Sequence, residues 1–502
     1  MLDTLQVLPP PFWIVIALLA GGCYWSVLNL RRGIGIPAIM VLATIAAWYV
    51  GDALYNDYRT THMQLFTAAM LLKAWWQVVV FLAVFLMLTP LIHNALNRRY
   101  LGRASQVLNL FNQGVNNARF QRGLTILFRA GLAVWLLLLV FAVFNFKQKF
   151  FYYLFPYLGK HPGSWAVSGV ASGGMDTLLA LANYLQLMVG ALFGVVAALS
   201  TNPGIRGLAT LGICLIWPYY IFDRTRKFIL LVVLPGLLAF VFIRLRGGMV
   251  PKLVAFAALF LLMNAWFGFI IANRAEYGIT DAVKQEGFDF SKASEEKHQG
   301  LNMFEELAWI TTFTSSGNFA PKWGQNYYAN LANPIPRALW PGKPTIGIDY
   351  ALARGQGGSD EGAGVYSTLS NGVIGQGLVN FGLYFGPAFA ALLASLWACW
   401  LARLDLDGQR IGYLPLYGLG LILTFNMGRD ITFLELYPFV FGYAICWWLN
   451  RQNPHHLQGA AAGQPPRRKS KRNQGLGVSP NPPPITAPAQ ATDDSGRPPG
   501  SR

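Results

Sequence analysis

The stretch AAMLLKAWWQVVVFLAVFLMLTPLI, residues 68–92, carries a single charge, Lys73, in 25 residues. As a helix rising 1.5 Å per residue it reaches about 37 Å, more than the roughly 30 Å of hydrocarbon in a bilayer. Comparable apolar runs precede it at 12–30 and 34–50 and follow it at 123–146, 176–199, 208–222, 228–243 and 253–273. After a long polar stretch come 374–402, 413–427 and 432–449. The expectation is an all-α polytopic membrane protein of about eleven spans. Eight lie in a bundle over 1–274, a large extracytoplasmic loop covers 275–373, and three spans fill 374–449.

Composition agrees. Of 502 residues 54% are hydrophobic and 12% charged, where a soluble domain carries about 25% charge. The 16 Trp and 21 Tyr suit interfacial belts. Cys23, Cys214, Cys399 and Cys446 lie in apolar runs without metal or redox spacing, and read as small buried residues. The net charge of +17 comes with no basic helix or aromatic-basic module. Nucleic acid is therefore not expected as a partner, and the charge is read as topological and as meeting anionic membrane lipid. Met1–Pro11 lacks a basic leader region, so the first span is expected to stay in the mature protein.

Basic residues concentrate in alternate connections: Arg31 and Arg32; Arg98, Arg99 and Arg103; Arg206; Arg244 and Lys252; Arg403 and Arg410. The positive-inside rule puts these in the cytoplasm with the C-terminus, and the N-terminus and the 275–373 loop outside. That loop holds eleven of the 22 acidic residues against seven Lys and Arg, and loops of such length are commonly functional. Residues 450–502, with PPRRKSKR and SPNPPPITAP, lack the apolar content to fold and read as a disordered cytoplasmic arm.

No Walker loop, GxSxG elbow, HExxH or Cys/His cluster is present. No metal or cofactor site is expected. Asp405–Asp407 has the spacing of a metal-binding Asp-x-Asp, but between Arg403 and Arg410 it reads as a solvated charged turn. Cations remain. Arg224 and Arg226 lie in a turn between short spans, as does Arg429, so both turns are expected to sit sunk at the outer membrane face. Lys73 is read as snorkelling from its span, and Arg129 is the other cation inside one. In the loop, NPIPRALWPGKP (333–344) displays Arg337 and Lys343 on a proline-stiffened ribbon, with Trp340 as a face for a sugar ring. Asp349, Arg354, Asp360, Glu361 and Tyr366 follow.

The run PIPRALWPGKP, the glycine-rich stretch after it and GVIGQGLVNFGLYFG opening a span resemble the oligosaccharide repeat-unit polymerases of bacterial surface polysaccharide synthesis, the O-antigen or Wzy-type polymerases. The resemblance implies a metal-independent glycosyltransferase of the bacterial inner membrane acting on undecaprenyl-diphosphate-linked oligosaccharides. A chain-length regulator protein is an implied partner. It would place Arg224, Arg226, Arg337, Lys343, Arg354 and Arg429 on the donor diphosphate, where guanidinium grips phosphate oxygens bidentately. Asp349, Asp360 or Glu361 would deprotonate the acceptor hydroxyl, and Trp340 or Tyr366 would pack a sugar. Two other readings stand beside it: an O-antigen ligase-like transferase, and a flippase or transporter. A flippase is expected to show internal repeats and mid-span cations, and no clear repeat is visible. The loop's one histidine, His298, lies far from the Arg337 motif.

Overall fold

The computed structural model describes the chain apart from residues 1–6, 57, 101, 114, 147–172, 222–225, 246, 273–301, 333–334, 336–338, 345–349, 351–352, 356–369, 430–432 and 454–502. Among the described residues every regular element is helical. Apart from short turns of helix at Leu30–Arg32, Tyr58–His62 and Met63–Leu65, these are in order α1 (Pro10–Leu28), α2 (Gly35–Tyr55), α3 (Ala68–Leu96), α4 (Gln106–Gln113) and α5 (Ala118–Phe146). Next come α6 (Gly173–Leu199), α7 (Pro203–Ile221), α8 (Arg226–Val232), α9 (Leu234–Arg244) and α10 (Met249–Ala272). The loop supplies α11 (Met303–Ser315) and α12 (Gln325–Ala332), and the chain closes with α13 (Gly372–Leu406), α14 (Tyr413–Met427) and α15 (Phe433–Gln452).

Six of the described helices are long and apolar enough to cross a bilayer: α1, α2, α3, Ala118–Val140 of α5, Val250–Gly268 of α10, and α13. Shorter apolar helices lie at Tyr184–Leu199, Leu234–Arg244 and Tyr413–Met427. The outward faces are apolar: Phe260, Leu261 and Leu262 of α10 and Leu136 and Leu137 of α5 are exposed. Such surface is costly in water and natural in lipid.

The main core joins α1, α2, α3, α11 and α13, with Trp75, Phe81, Phe85, Phe304 and Ile374 buried in it. Ala390, Ala394, Ala398 and Ala402 repeat every fourth residue along α13, all buried. Small side chains at that spacing let two backbones approach closely, the packing membrane helices favour. Polar ties reinforce the α3–α13 contact: the Thr89 hydroxyl meets Ser395 Oγ at 3.0 Å, and Asn97 Nδ2 donates to the Cys399 carbonyl at 3.0 Å.

Four sequence expectations change. First, the second span does not stop at residue 50: the helix continues through Asp52 to Tyr55, and Asp52 is fully buried. Second, 374–402 is not one straight span. Gly382 adopts φ 72°, ψ −174°, a conformation open essentially to glycine alone, and the chain folds back there. A β-carbon built on Gly377 would stand 2.2 Å from the Gly386 carbonyl oxygen; in a continuous helix these residues would be about 13 Å apart. The product is a tight hairpin, with a short arm before Gly382 and a long arm after it. Third, Cys399 and Cys446 are buried but Cys23 and Cys214 are exposed. Fourth, Asp405–Asp407 is not a solvated turn. Asp405 Oδ1 accepts the Val107 N–H at the start of α4 at 2.9 Å, while Asp407 bridges Arg103 at 2.7 Å and Arg410 at 2.5 Å. Lys73 and Arg129 are both exposed on their helices.

Candidate functional site

The short arm of α13 is the hub of the face to which α11 and α12 belong. At its foot, Gly372 N–H donates to the Arg429 carbonyl at 2.8 Å and Val373 N–H to Gly428 at 3.2 Å. Ile374 N–H donates to the Tyr49 hydroxyl at 3.1 Å. At its tip, Lys322 N–H donates to the Val379 carbonyl at 3.1 Å and Asn326 N–H to Asn380 Oδ1 at 3.1 Å. The arm's first orphan amides are thus satisfied by neighbours and not by water. The 15 residues of α14 span only about 22 Å. Arg429 follows its C-cap, Gly428. Its Nε donates to Ser370 Oγ at 2.7 Å, which fixes the plane of an exposed guanidinium.

Beside this foot lies a nest of charge that the sequence did not single out. Asp52, one turn beyond Tyr49 on α2, accepts the N–H groups of Phe304 and Glu305 at 2.7 and 3.0 Å. Its carboxylate therefore caps α11 from 252 residues away, where negative charge meets the positive end of the helix dipole. Asn56 Nδ2 donates to its other oxygen at 2.6 Å. His62 Nε2 stands 3.7 Å from that same oxygen, and the ring is fully buried between Tyr58 and Phe304 at centroid distances of 5.6 and 5.5 Å. Among the described residues neither ring nitrogen has a hydrogen-bond partner.

The next residue of α11, Glu306, is buried and accepts from the Tyr350 hydroxyl and, at 3.0 Å, from Arg354 Nη2. Arg354 also lies 3.8 Å from Glu305 Oε1, and its guanidinium stacks 4.4 Å over the Trp309 ring. Burial alone would draw the Arg354 pKa down, but the Glu306 hydrogen bond and charge outweigh it and hold the cation. Burial and the Glu306 charge push the Tyr350 hydroxyl far up, so it stays a donor. Glu305 differs from its neighbours. Its side chain is 23% exposed, and burial, with the negative charges of Glu306 and Asp52, pushes its carboxyl above the ordinary value, against the pull of Trp309 Nε1. Glu305 and Glu306 share the guanidinium of Arg354, while Asp52 is met by amides and by the His62 ring.

Of the residues singled out in sequence, Arg354 belongs to this nest, where its charge is committed to Glu306. Arg429 lies at the foot of the hairpin, linked to the nest through Gly372, whose surroundings include Met303 of α11. Trp340 stands edge-on to Tyr328 of α12 at 6.1 Å, and Lys343 turns back to donate to the Ile335 carbonyl at 3.0 Å. Lys343 thus braces its own ribbon. Arg226 opens α8; Arg224, Arg337, Asp349, Asp360, Glu361 and Tyr366 lie outside the described residues, as does His298. Sequence reasoning missed Asp52, His62, Glu305 and Glu306. A signal existed for Asp52, a carboxylate placed directly after an apolar run, where an ion is expensive without partners. No group of three or more His, Cys, Asp or Glu suited to a metal occurs among the described residues. Compared with known protein families, curated proteins and solved structures, the chain matches none.

Proposed function

We propose that this protein is a glycosyltransferase of the bacterial inner membrane that polymerises lipid-diphosphate-linked oligosaccharide repeat units at the extracytoplasmic face. In this reading the chain crosses the membrane about eleven times and the 275–373 loop lies outside. The observation that carries it is Glu305: a partly exposed carboxylate, raised in pKa, held on a rigid helix beside a charge-neutralised arginine. A carboxyl raised above its ordinary value is a stronger base than an unperturbed carboxylate.

The acceptor sugar hydroxyl loses its proton to Glu305 as its oxygen bonds to the anomeric carbon of the donor. The bond from that carbon to the diphosphate oxygen breaks, and undecaprenyl diphosphate departs with the electron pair. Arg429, with its plane fixed by Ser370, offers a bidentate fork to the departing charge. Arg224, Arg226 and Arg337 keep the diphosphate role that the resemblance gives them, and Asp349, Asp360 and Glu361 remain the competing bases. Arg354 and Glu306 act as positioning residues that hold α11 and Trp309 in place. The deciding experiment is Glu305→Gln in purified enzyme supplied with lipid-linked repeat units. Polymer should fall by at least about a hundredfold, the low end of what a general base contributes, with protein level and thermal midpoint retained. A normal ladder of polymer would transfer the role to one of the other carboxylates.

A further inference from the structure

The helix α12 is built inside out for a helix in water. Its buried positions are Asn326, Ala329, Asn330 and Ala332, while Tyr328 and Leu331, three residues apart on one face, are each 54% exposed. A soluble surface helix shows the opposite pattern, with amides outward and Tyr and Leu inward. The exposed apolar surface continues on both sides. Trp323, just before the helix, is 72% exposed, and Leu339, in the ribbon after it, is 80% exposed. Trp323 accepts φ 48°, a left-handed backbone that a bulky side chain rarely adopts. The strain buys an outward indole, with its ring edge-on to Phe381 of the hairpin.

The hairpin fixes the height of this surface. Pro321 sits against Gly382, and Lys322 and Asn326 are bonded to the short arm of α13. Directly after Gly382, Tyr384 and Phe385 begin the long arm, which is apolar enough to enter a bilayer, and they are 89% and 65% exposed. Two aromatic side chains at the mouth of a spanning helix mark the level of the membrane interface. Because the platform is bonded to that same turn, it sits at that level and not out in water.

We propose that α12 with its flanking turns is a membrane-interfacial platform. Trp323, Tyr328, Leu331 and Leu339 lie in the headgroup and upper acyl region of the outer leaflet, at the level of Tyr384 and Phe385. The partner is the lipid surface itself. Aromatic and aliphatic side chains on one face of a short helix meet acyl chains. This holds whatever glycan chemistry the nest performs. It places the Trp340 ribbon at the depth where a lipid-borne substrate's diphosphate would travel.

The test uses the full chain with exposed Cys23 and Cys214 replaced by alanine, in phosphatidylethanolamine–phosphatidylglycerol vesicles. Nitroxides are attached at Leu331→Cys and Leu339→Cys, and their relaxation by oxygen is compared with that by a water-soluble nickel chelate. Leu262→Cys on the lipid-facing side of α10 and Ser316→Cys at the outer end of α11 serve as references. The platform predicts oxygen-to-nickel ratios near that of position 262. Ratios near that of position 316 overturn the proposal. Low access to both reagents also overturns it, since that would mean protein covers the surface. Each labelled variant is judged only on material that elutes as a single species, and Tyr384→Cys provides a third position should one of the first two fail to fold.

Discussion

Replacing Asp52 by asparagine separates its two tasks, because the variant keeps its shape and loses its charge. In the native chain this carboxylate, fully buried, accepts from two α11 amides and from Asn56. Hydrogen bonds to a charged group contribute about 1.5–3 kcal/mol each, roughly twice their neutral counterparts. Losing charge assistance on the two cap bonds therefore costs about 1.5–3 kcal/mol, even though both amides meet the same oxygen and one acceptor can serve them. If the first turn of α11 opens locally, amide exchange at Phe304 and Glu305 should accelerate roughly 10- to 150-fold, since each 1.36 kcal/mol is tenfold. The second effect is electrostatic. Asp52 is one of the negative charges that raise the Glu305 pKa, so its neutralisation must lower that pKa. A base works only when deprotonated, so the acid limb of the pH–activity profile should move to lower pH. Hydrogen-exchange mass spectrometry of the α11 peptide reads the first effect and a polymerisation assay across pH reads the second. Unchanged exchange would refute the cap. A limb that stays put, or moves to higher pH, would refute Glu305 as the base that Asp52 tunes.

Glu305→Gln should leave the thermal midpoint at pH 7 unchanged or raised. A carboxyl whose folded pKa lies above its unfolded value contributes stability at low pH that is lost as pH rises through the folded pKa, and glutamine removes that loss. Gly382→Ala should destabilise by about 1–3 kcal/mol, because φ 72° with ψ −174° is strained for any other residue and the added carbon meets Pro321 at 3.0 Å; thermal unfolding of the purified protein measures it. Arg429→Ala should slow polymerisation roughly 150-fold with protein level unchanged, from the loss of one bidentate contact of about 3 kcal/mol. Arg429→Lys should recover only part, because a point charge lacks the planar fork. Activity should survive excess EDTA; its loss, with restoration by magnesium, would remove arginines as the answer to the leaving group's charge.

Hydropathy is a local quantity, summed over about twenty neighbouring residues. The run 68–92 therefore fixed a spanning helix before any contact was known, and α3 appears where its composition demands. The ends of helices and the identity of the site are not local. Asp52 is buried at the end of α2 where the first turn of α11 brings it two amide donors across 252 residues, beside the local donor Asn56. Nothing near Asp52 in sequence announces those two amides. Glu305 and Glu306 are adjacent and alike in sequence. Burial, a tyrosine and an arginine lock one of them, while the other is left partly exposed with its pKa raised. Gly382 is one of five glycines in GVIGQGLVNFGLYFG, and the reversal occurs there because Gly377 and Gly386 allow the two arms to touch backbone to backbone. The sequence alone determined that this chain belongs in a bilayer, since transfer free energy adds residue by residue. Only the tertiary structure decided which carboxylates share one buried nest, since the pKa of a buried acid depends on groups that folding, not chain order, brings within a few ångströms.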